Sequence, residues 1–555
     1  MMAIPDPAGA TPLMTTPRHA HEASGHSICR LLGKFGPVAL LKSSPKLALL
    51  ALACFSDAGL GNAFLGWEDT CGSHTAQAQL FRPSTRPPTN PNSPQYPPGA
   101  GGTNAIASPS DPLQAETEAA YQRGDFAKAL QLAESMMARN PNNDIAVYLR
   151  GSARVELGIQ QGDLELIRSG IEDSRTALKI GGTDKINYYL PYLYGMTSLA
   201  NLENKKEHAE VVVKFADSIL ARPGLKPEER ANLQYQKGGA QVYLKNTEQA
   251  ISAYLAAIQS SPQHLGAHVA LAGAYATANK LSEAEAAFSN TTRVFPNNPL
   301  VFNNRGMYYQ QQHRPKEAIA DFTRALQIEP KFYVAYTNRG FTNLNDGENP
   351  TAAIADFNES LRLNPQQPGI YSLRGAAKLQ QGKLAEALVD YNEALKLDPE
   401  NPIAMADIGF TKFFGKDYPG ALSSFNNAVL EDPDLRYLNP WRYLSMAFAG
   451  QEGAAAATFS DSLTRPVEKR DWMDQLVLFL AGKISEQDLF NAAERNDLNL
   501  RNLQFCEAYY FIGQQRLRAG NTAGANQFFE QALATKARNL SAYRGAAFML
   551  GKFTQ

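Results

Sequence analysis

Only four of the 555 residues are cysteine, and Cys29, Cys54 and Cys71 all fall near the start, leaving Cys506 alone in the rest of the chain. One thiol cannot close an internal disulfide, and no pair is spaced to hold a metal. Cys506 sits in an apolar helical pattern, where a small buried hydrophobe is expected. An excess of one charge is also missing: 53 Lys and Arg face 54 Asp and Glu, a net of −1. Nucleic-acid binders usually present a basic face, so nucleic acid is excluded as an expected partner. Catalytic signatures are missing too, with no G-x-S-x-G elbow, no phosphate-binding glycine loop and no H-E-x-x-H helix. The expectation is a non-enzyme with no catalytic residues, no metal, no cofactor and no small-molecule substrate.

What is present is a punctuation of fixed period. Pro262, Pro296, Pro330, Pro365, Pro399 and Pro433 follow one another at 34, 34, 35, 34 and 34 residues. A repeat of 20–50 residues means stacked supersecondary units. Between prolines the same events recur: a large residue (Phe302, Tyr336, Tyr371, Met405) is followed four positions on by glycine (Gly306, Gly340, Gly375, Gly409). A small residue comes next (Ala318, Ala353, Ala387, Ala421), then an aromatic four further on (Phe322, Phe357, Tyr391, Phe425). Spacings of i, i+4 and i+7 put each set on one helical face. Each unit therefore reads as two antiparallel helices, crossing closely at the small residues. The residue before each proline leaves the α region and ends the second helix.

Tyr371, Gly375, Lys378, Gly382, Leu384, Ala387, Tyr391, Ala394 and Pro399 occupy in order the positions of a 34-residue signature, and the unit resembles the tetratricopeptide repeat (TPR) family. The resemblance covers roughly residues 113–538, with weaker copies around Gly151 and Ala177 and around Gly195 and Ala216, a degenerate pair over Trp441–Leu463, and a last clear unit carrying Gly513, Ala525 and Phe529. It implies an all-α TPR superhelix, a right-handed solenoid of antiparallel helix pairs. A solenoid grows by addition and needs no domain breaks.

The first part of the chain is a different material. Lys42 and Lys46 precede the uncharged run Leu47–Ser56, too short to span a bilayer but suited to the core of a signal peptide. Ala76-Gln77-Ala78 offers a cleavage site, although the stretch before Lys42 is long enough to leave the start uncertain. Lipidation at Cys54 and a plain tail with a fortuitous apolar patch are the alternatives. The Pro-, Gly-, Ser- and Asn-rich stretch that follows cannot bury enough apolar surface to fold and reads as a linker. The expected organisation is a disordered N-terminal region comprising a targeting segment over 1–78 and a linker over 79–112, then the repeat array over 113–466 and a C-terminal helical segment over 467–555 with a last repeat and a capping helix. The protein is expected outside the cytoplasm, periplasmic or envelope-associated, with a cytoplasmic location as the alternative.

The repeats act as their own alignment. Arg150, Arg305, Arg339 and Arg374 stand just before the glycine, and the same units carry Asp173, Asp321, Asp356 and Asp390 on the second helix. Other copies lack both members (Leu271 with Ala287, Ile408 with Ser424, Ile512 with Phe528), and Lys237 with Ala253 is a partial exception. Gain and loss together predict ion pairs between packed helices, where an unpaired charge is costly. A row of ligand-binding charges is the competing reading. His264 and His268 are four apart, yet one lies in a turn and the other fills an aromatic slot, so packing is expected there rather than a metal.

In TPR proteins the first helices line a concave groove that holds a partner segment. The matching positions are Leu300, Asn303, Met307 and Gln310, then Val334, Thr337, Phe341 and Leu344, then Ile403, Ala406, Phe410 and Phe413, with Phe414 beside them. They lie off the packing stripe, most are apolar, and none is charged, which marks a candidate binding surface. Met307, Gln310, Phe341, Phe410, Phe413 and Phe414 are its expected contacts. The lysines of a chaperone carboxylate clamp are absent, although Asn303, Asn304 and Asn338 match part of one. The end of the chain, from Trp472 through CEAYYFIGQ to Phe548–Leu550, resembles exported bacterial TPR lipoproteins, which work as envelope adaptors. The expected function is a scaffold for protein partners or peptide segments. A structural component that mainly self-associates is the alternative.

Overall fold

The computed structural model describes residues 112–345, 349–538 and 540–552. The apolar run around Cys54, the Ala78 site and all of the linker before Pro112 lie outside the described residues. The described residues contain helices and short 3-10 turns, with no strand among them. No helix among them is long and apolar enough to cross a membrane. They divide into two compact units, 112–294 and 295–552.

The first unit is five helix pairs: α1 (Pro112–Gln122) with α2 (Phe126–Arg139), α3 (Asp144–Gln161) with α4 (Leu164–Gly181), α5 (Leu190–Glu203) with α6 (Lys206–Leu220), α7 (Pro227–Tyr243) with α8 (Thr247–Ser260), and α9 (Leu265–Thr277) with α10 (Leu281–Val294). The second unit continues the pattern with α11 (Pro299–Gln311) and α12 (Pro315–Ile328), α13 (Tyr333–Asn345) and α14 (Pro350–Leu363), α15 (Pro368–Gln380) and α16 (Leu384–Leu397), and α17 (Pro402–Phe414) and α18 (Tyr418–Glu431). The degenerate pair follows as α19 (Asn439–Phe448) against two short helices, α20 (Glu452–Thr458) and α21 (Ser460–Thr464). Then come α22 (Trp472–Leu480), α23 (Glu486–Ala493), the long α24 (Leu498–Arg518), α25 (Thr522–Ala534) and α26 (Ser541–Met549).

The periodic prolines end the second helices. Pro262, Pro296, Pro330, Pro365, Pro399 and Pro433 each stand two residues past a helix end. The residue before the proline is extended, as at Asn364 (φ −140°, ψ 100°) and Asp432 (φ −136°, ψ 95°), because the ring displaces its neighbour from the α region. Starts are equally legible. Asn298 and Asn401 cap α11 and α17 with their side chains, and Pro299 and Pro402 stand at the first helical position, where no amide hydrogen is needed. In the pairs whose turn is described, such as α11–α12, α15–α16 and α17–α18, the turn passes through left-handed backbone. Gly382 supplies it without strain at φ +74°, whereas Lys416 (φ +65°) and His313 (φ +54°) adopt it with a side chain.

In the well-formed repeats the signature glycine of the first helix faces the aromatic ring of the second. A Cβ at Gly306, Gly340, Gly375, Gly409 or Gly513 would lie 2.5–3.0 Å from the ring of Phe322, Phe357, Tyr391, Phe425 or Phe529. The rings themselves are fully buried, each stabilising its pair by about 2–3 kcal/mol. The small–aromatic alternation is thus a steric lock. Any side chain at the glycine drives the ring out of the core.

Candidate partner-binding face

The four Arg–Asp pairs form, each bidentate. Arg150 reaches Asp173 at 2.9 and 2.5 Å, Arg305 reaches Asp321 at 2.7 and 2.7 Å, Arg339 reaches Asp356 at 3.0 and 2.6 Å, and Arg374 reaches Asp390 at 2.9 and 2.6 Å. The aspartates are buried between the two helices of their repeat, so these charges are part of the packing. Parallel N–H···O bonds suit the fork of a guanidinium and the two oxygens of a carboxylate. Three of the arginines also lie over the aromatic residue one turn back, Arg305 over Phe302, Arg339 over Tyr336 and Arg374 over Tyr371, at 5.4–5.8 Å. That second contact was readable as an i, i+3 spacing and was missed in the sequence. Where the pair is absent, Leu271, Ile408 and Ile512 are buried instead. Lys237 turns back to Asp217 of the preceding repeat, 2.7 Å away.

The two histidines are committed locally. His264 is buried with its Nδ1 accepting the Ala267 amide at 3.0 Å, which leaves Nε2 to donate to Asn232 Oδ1 at 3.0 Å. Burial pushes its pKa down to about 4. His268 Nε2 donates to the Pro262 carbonyl at 2.9 Å. Cys506 is fully buried, and burial pushes its thiol up to about 12.

The expected groove residues separate into two groups. Met307 and Gln310 on α11 and Phe341 on α13 are half-buried on the faces of adjacent first helices. Polar side chains tie those helices together: Asn338 Nδ2 donates to Asn303 Oδ1 at 3.0 Å, and Gln310 Nε2 donates to Thr342 Oγ1 at 2.9 Å. This leaves an uncharged, partly accessible strip of apolar and amide groups.

Phe410, Phe413 and Phe414 belong to the other group. The sequence reading takes them as exposed contacts; they are 3%, 3% and 5% exposed and lie in the core. Phe410 meets the edge of Phe425 at 5.1 Å and of Trp441 at 4.9 Å. Phe413 packs against Trp441 and Tyr418, each at 5.3 Å. Phe414 stacks on Phe548 of α26 at 5.3 Å. Trp441 then meets Tyr510 and Phe511 of α24 at 5.0 and 5.4 Å. The face of α17 that corresponds to the open strip of α11 and α13 is covered by helices that follow it in the chain. A helix apolar all round is a buried helix, and the run Ile403–Phe414 has that character. The same covering joins the expected C-terminal segment to the array: no break in packing separates residues before and after 466.

Asp407 interrupts that apolar run and was not singled out in the sequence. It is 4% exposed and its Oδ2 has no hydrogen-bond partner. Burial raises its pKa to about 6, opposed by the positive charge of Arg544 on α26. Tyr391, whose hydroxyl also lacks a partner, and Tyr437 lie within reach of the same charges and are held protonated by burial.

Family models described as tetratricopeptide repeat match residues 242–303 and 299–332, and one described as TPR repeat matches residues 375–413. Residues 242–332 and 375–413 are tetratricopeptide repeats. No curated protein matches it. Similar solved structures include yeast Tom70, 18% identical over 68% of this chain and 84% of that one with a TM-score of 0.46. Another is PilF of Pseudomonas aeruginosa, 23% identical over 37% and 94% with a TM-score of 0.33. A third is YrrB, titled a TPR protein with an unusual peptide-binding site, 18% identical over 38% and 95% with a TM-score of 0.26. TPR arrays are protein-interaction scaffolds, and in this one Met307, Gln310 and Phe341 on the first helices α11 and α13 stay half-buried.

Proposed function

We propose that this TPR protein is a non-catalytic adaptor of the bacterial cell envelope that holds a segment of a partner protein along the first-helix face of α11 and α13. The observation that carries this reading is the uncharged strip of Met307, Gln310 and Phe341, which stays partly accessible while the equivalent face of α17 is sealed by the chain itself. Partly accessible apolar groups beside side-chain amides suit a peptide, since the amides can bond to its backbone while the apolar groups take its side chains. The envelope location rests on the apolar run and the A-x-A site of the N-terminal region.

Two measurements test the two halves. N-terminal sequencing of the native protein is expected to begin at Gln79, and an intact cytosolic chain sinks the location. Replacing Met307 and Phe341 together by Ser is expected to cut recovery of copurifying proteins at least tenfold while lowering the melting temperature by only a few degrees. Unchanged recovery from a folded variant sinks the groove.

A further inference from the structure

The first helices of the first two pairs carry a face unlike the uncharged strip on α11 and α13. Thr117 on α1 stands 12 residues before Ala129, as Gly306 on α11 stands before Ala318. Counted from Thr117, the places of Met307 and Gln310 are held by Glu118 and Tyr121. Counted from Gly151 on α3, the place of Asn303 is held by Tyr148, with Glu156 about two turns further on. The structure joins the two helices here, since the Tyr121 hydroxyl donates to Glu156 Oε1 at 3.3 Å. All four side chains are half-buried. Their rings are held in place, Tyr121 edge-on to Phe126 at 5.2 Å and Tyr148 stacked on Tyr188 at 4.8 Å. Glu118 accepts from Gln114 Nε2 at 2.9 Å, and neither glutamate is in an ion pair among the described residues. With no cation to offset it, burial raises the Glu156 carboxyl to about 7. Two fixed tyrosine rings thus stand beside two carboxyl groups that lack a cation.

We propose that this face of α1 and α3 holds the chain's own residues 82–98, with Arg82 and Arg86 paired to Glu118 and Glu156 and prolines lying on the Tyr121 and Tyr148 rings. Charge, composition and attachment all select this occupant. Arg82 and Arg86 are the only charged residues between Gln79 and Ser110, so the segment brings two cations and no anion to two unpaired carboxyl groups. Its sequence, RPSTRPPTNPNSPQYPP, has proline at 7 of 17 positions. Proline fixes φ, so such a segment loses little conformational freedom when it is held extended. Grooves lined by aromatic rings bind proline-rich segments of this kind. The segment is also tied to the site. Thirteen residues separate Pro98 from Pro112, enough to span about 40 Å, whereas α1 is about 16 Å long. The tether holds the segment at roughly millimolar effective concentration, ahead of a free partner of the same chemistry. The chain thereby closes this face to other proteins. The inference goes beyond the strip on α11 and α13 and stands whether or not that strip holds a partner.

The probe is a fluorescent peptide of residues 82–98 added to the full-length protein. A full-length chain whose residues 82–98 are replaced by Gly and Ser at equal length is expected to bind it at least tenfold more tightly than the natural chain, because its face is vacant. Reversing both charges in the peptide, Arg82→Glu with Arg86→Glu, is expected to remove that binding. Glu118→Gln with Glu156→Gln in the Gly/Ser chain is expected to do the same without lowering the melting temperature. Equal binding by the natural and Gly/Ser chains, no binding by the Gly/Ser chain, or binding that survives the charge reversal overturns the proposal. Should the glutamine variant not fold, the charge-reversed peptide decides alone. A second measurement identifies the occupant in the natural chain. Tyr96→benzoylphenylalanine is expected on irradiation to give a crosslink within one chain to residues 112–161. A chain that forms no such crosslink, or forms it only between copies or to another protein, overturns the proposal. Loss of peptide binding with copurification intact removes this site alone, whereas loss of copurification in the Met307/Phe341 variant leaves it standing.

Discussion

Phe414 and Phe548 stack with ring centroids 5.3 Å apart and planes inclined by 20°, although they belong to α17 and α26. Through this contact the chain fills its own first-helix face, and the consequence for Phe410 and Phe414 is the reverse of what their spacing implies. They are core residues. Phe410→Ala is expected to destabilise the fold by about 3–5 kcal/mol, the range for removing a buried phenyl group. Denaturant unfolding measures it. A change under 1 kcal/mol would show that the ring is not enclosed by Phe425 and Trp441.

The Arg–Asp pairs predict a graded response. Arg339→Leu is expected to cost about 1–3 kcal/mol because Asp356 keeps only a long bond from Asn343 Nδ2, at 3.3 Å. Adding Asp356→Ala should return much of that loss, as the apolar counterparts in sister repeats imply. Arg374→Leu should cost less than Arg339→Leu, since Lys378 still pairs with Asp390 at 2.8 Å. Equal costs in a double-mutant cycle would show that the second cation contributes nothing.

Asp407 predicts a pH dependence opposite to that of a paired carboxylate. Its pKa is raised from 3.8 to about 6 in the folded chain, so the native state holds the proton more tightly than the unfolded state does. Its contribution is most favourable below the unfolded pKa and is lost as pH rises through about 6. Asp407→Asn is therefore expected to raise the melting temperature at pH 7.5, by an amount corresponding to roughly 1–3 kcal/mol. The gain should shrink toward zero near pH 4. A gain that is the same at both pH values would show that burial of the charge is not its origin.

Lys416 holds left-handed backbone at φ +65° in the turn where a sister repeat uses Gly382. Lys416→Gly is expected to stabilise the second unit by about 0.5–1 kcal/mol, relief of strain exceeding the added freedom of the unfolded chain. Thermal melting checks the sign. A destabilised variant would mean that the lysine stem contributes more by packing than its backbone strain removes.

The helix pairs were legible because each is specified locally. Prolines two residues past the helix ends, capping asparagines and the glycine–aromatic alternation act within some 34 residues, and the well-formed copies repeat the message. The ion pairs were legible for the same reason: both partners vary together within one repeat. The strip formed by Met307, Gln310 and Phe341 was half legible. The spacing placed these residues on one face, but the bonds from Asn338 to Asn303 and from Gln310 to Thr342 join different repeats, and periodicity alone carries no sign of them.

What the sequence by itself determined is the repeat: its period, its helix boundaries, its small–aromatic lock and its internal charge pairs, all consequences of near-neighbour sterics and electrostatics. Which first-helix faces stay open was decided only by the tertiary structure. An apolar residue off the packing stripe reads identically whether water or another helix covers it, and the cover for α17 comes from α19, α24 and α26, far along the chain. The gain from burying Phe410, Phe413 and Phe414 against Trp441, Tyr510 and Phe548 depends on area removed from water and is indifferent to sequence distance. No local pattern announces such a contact.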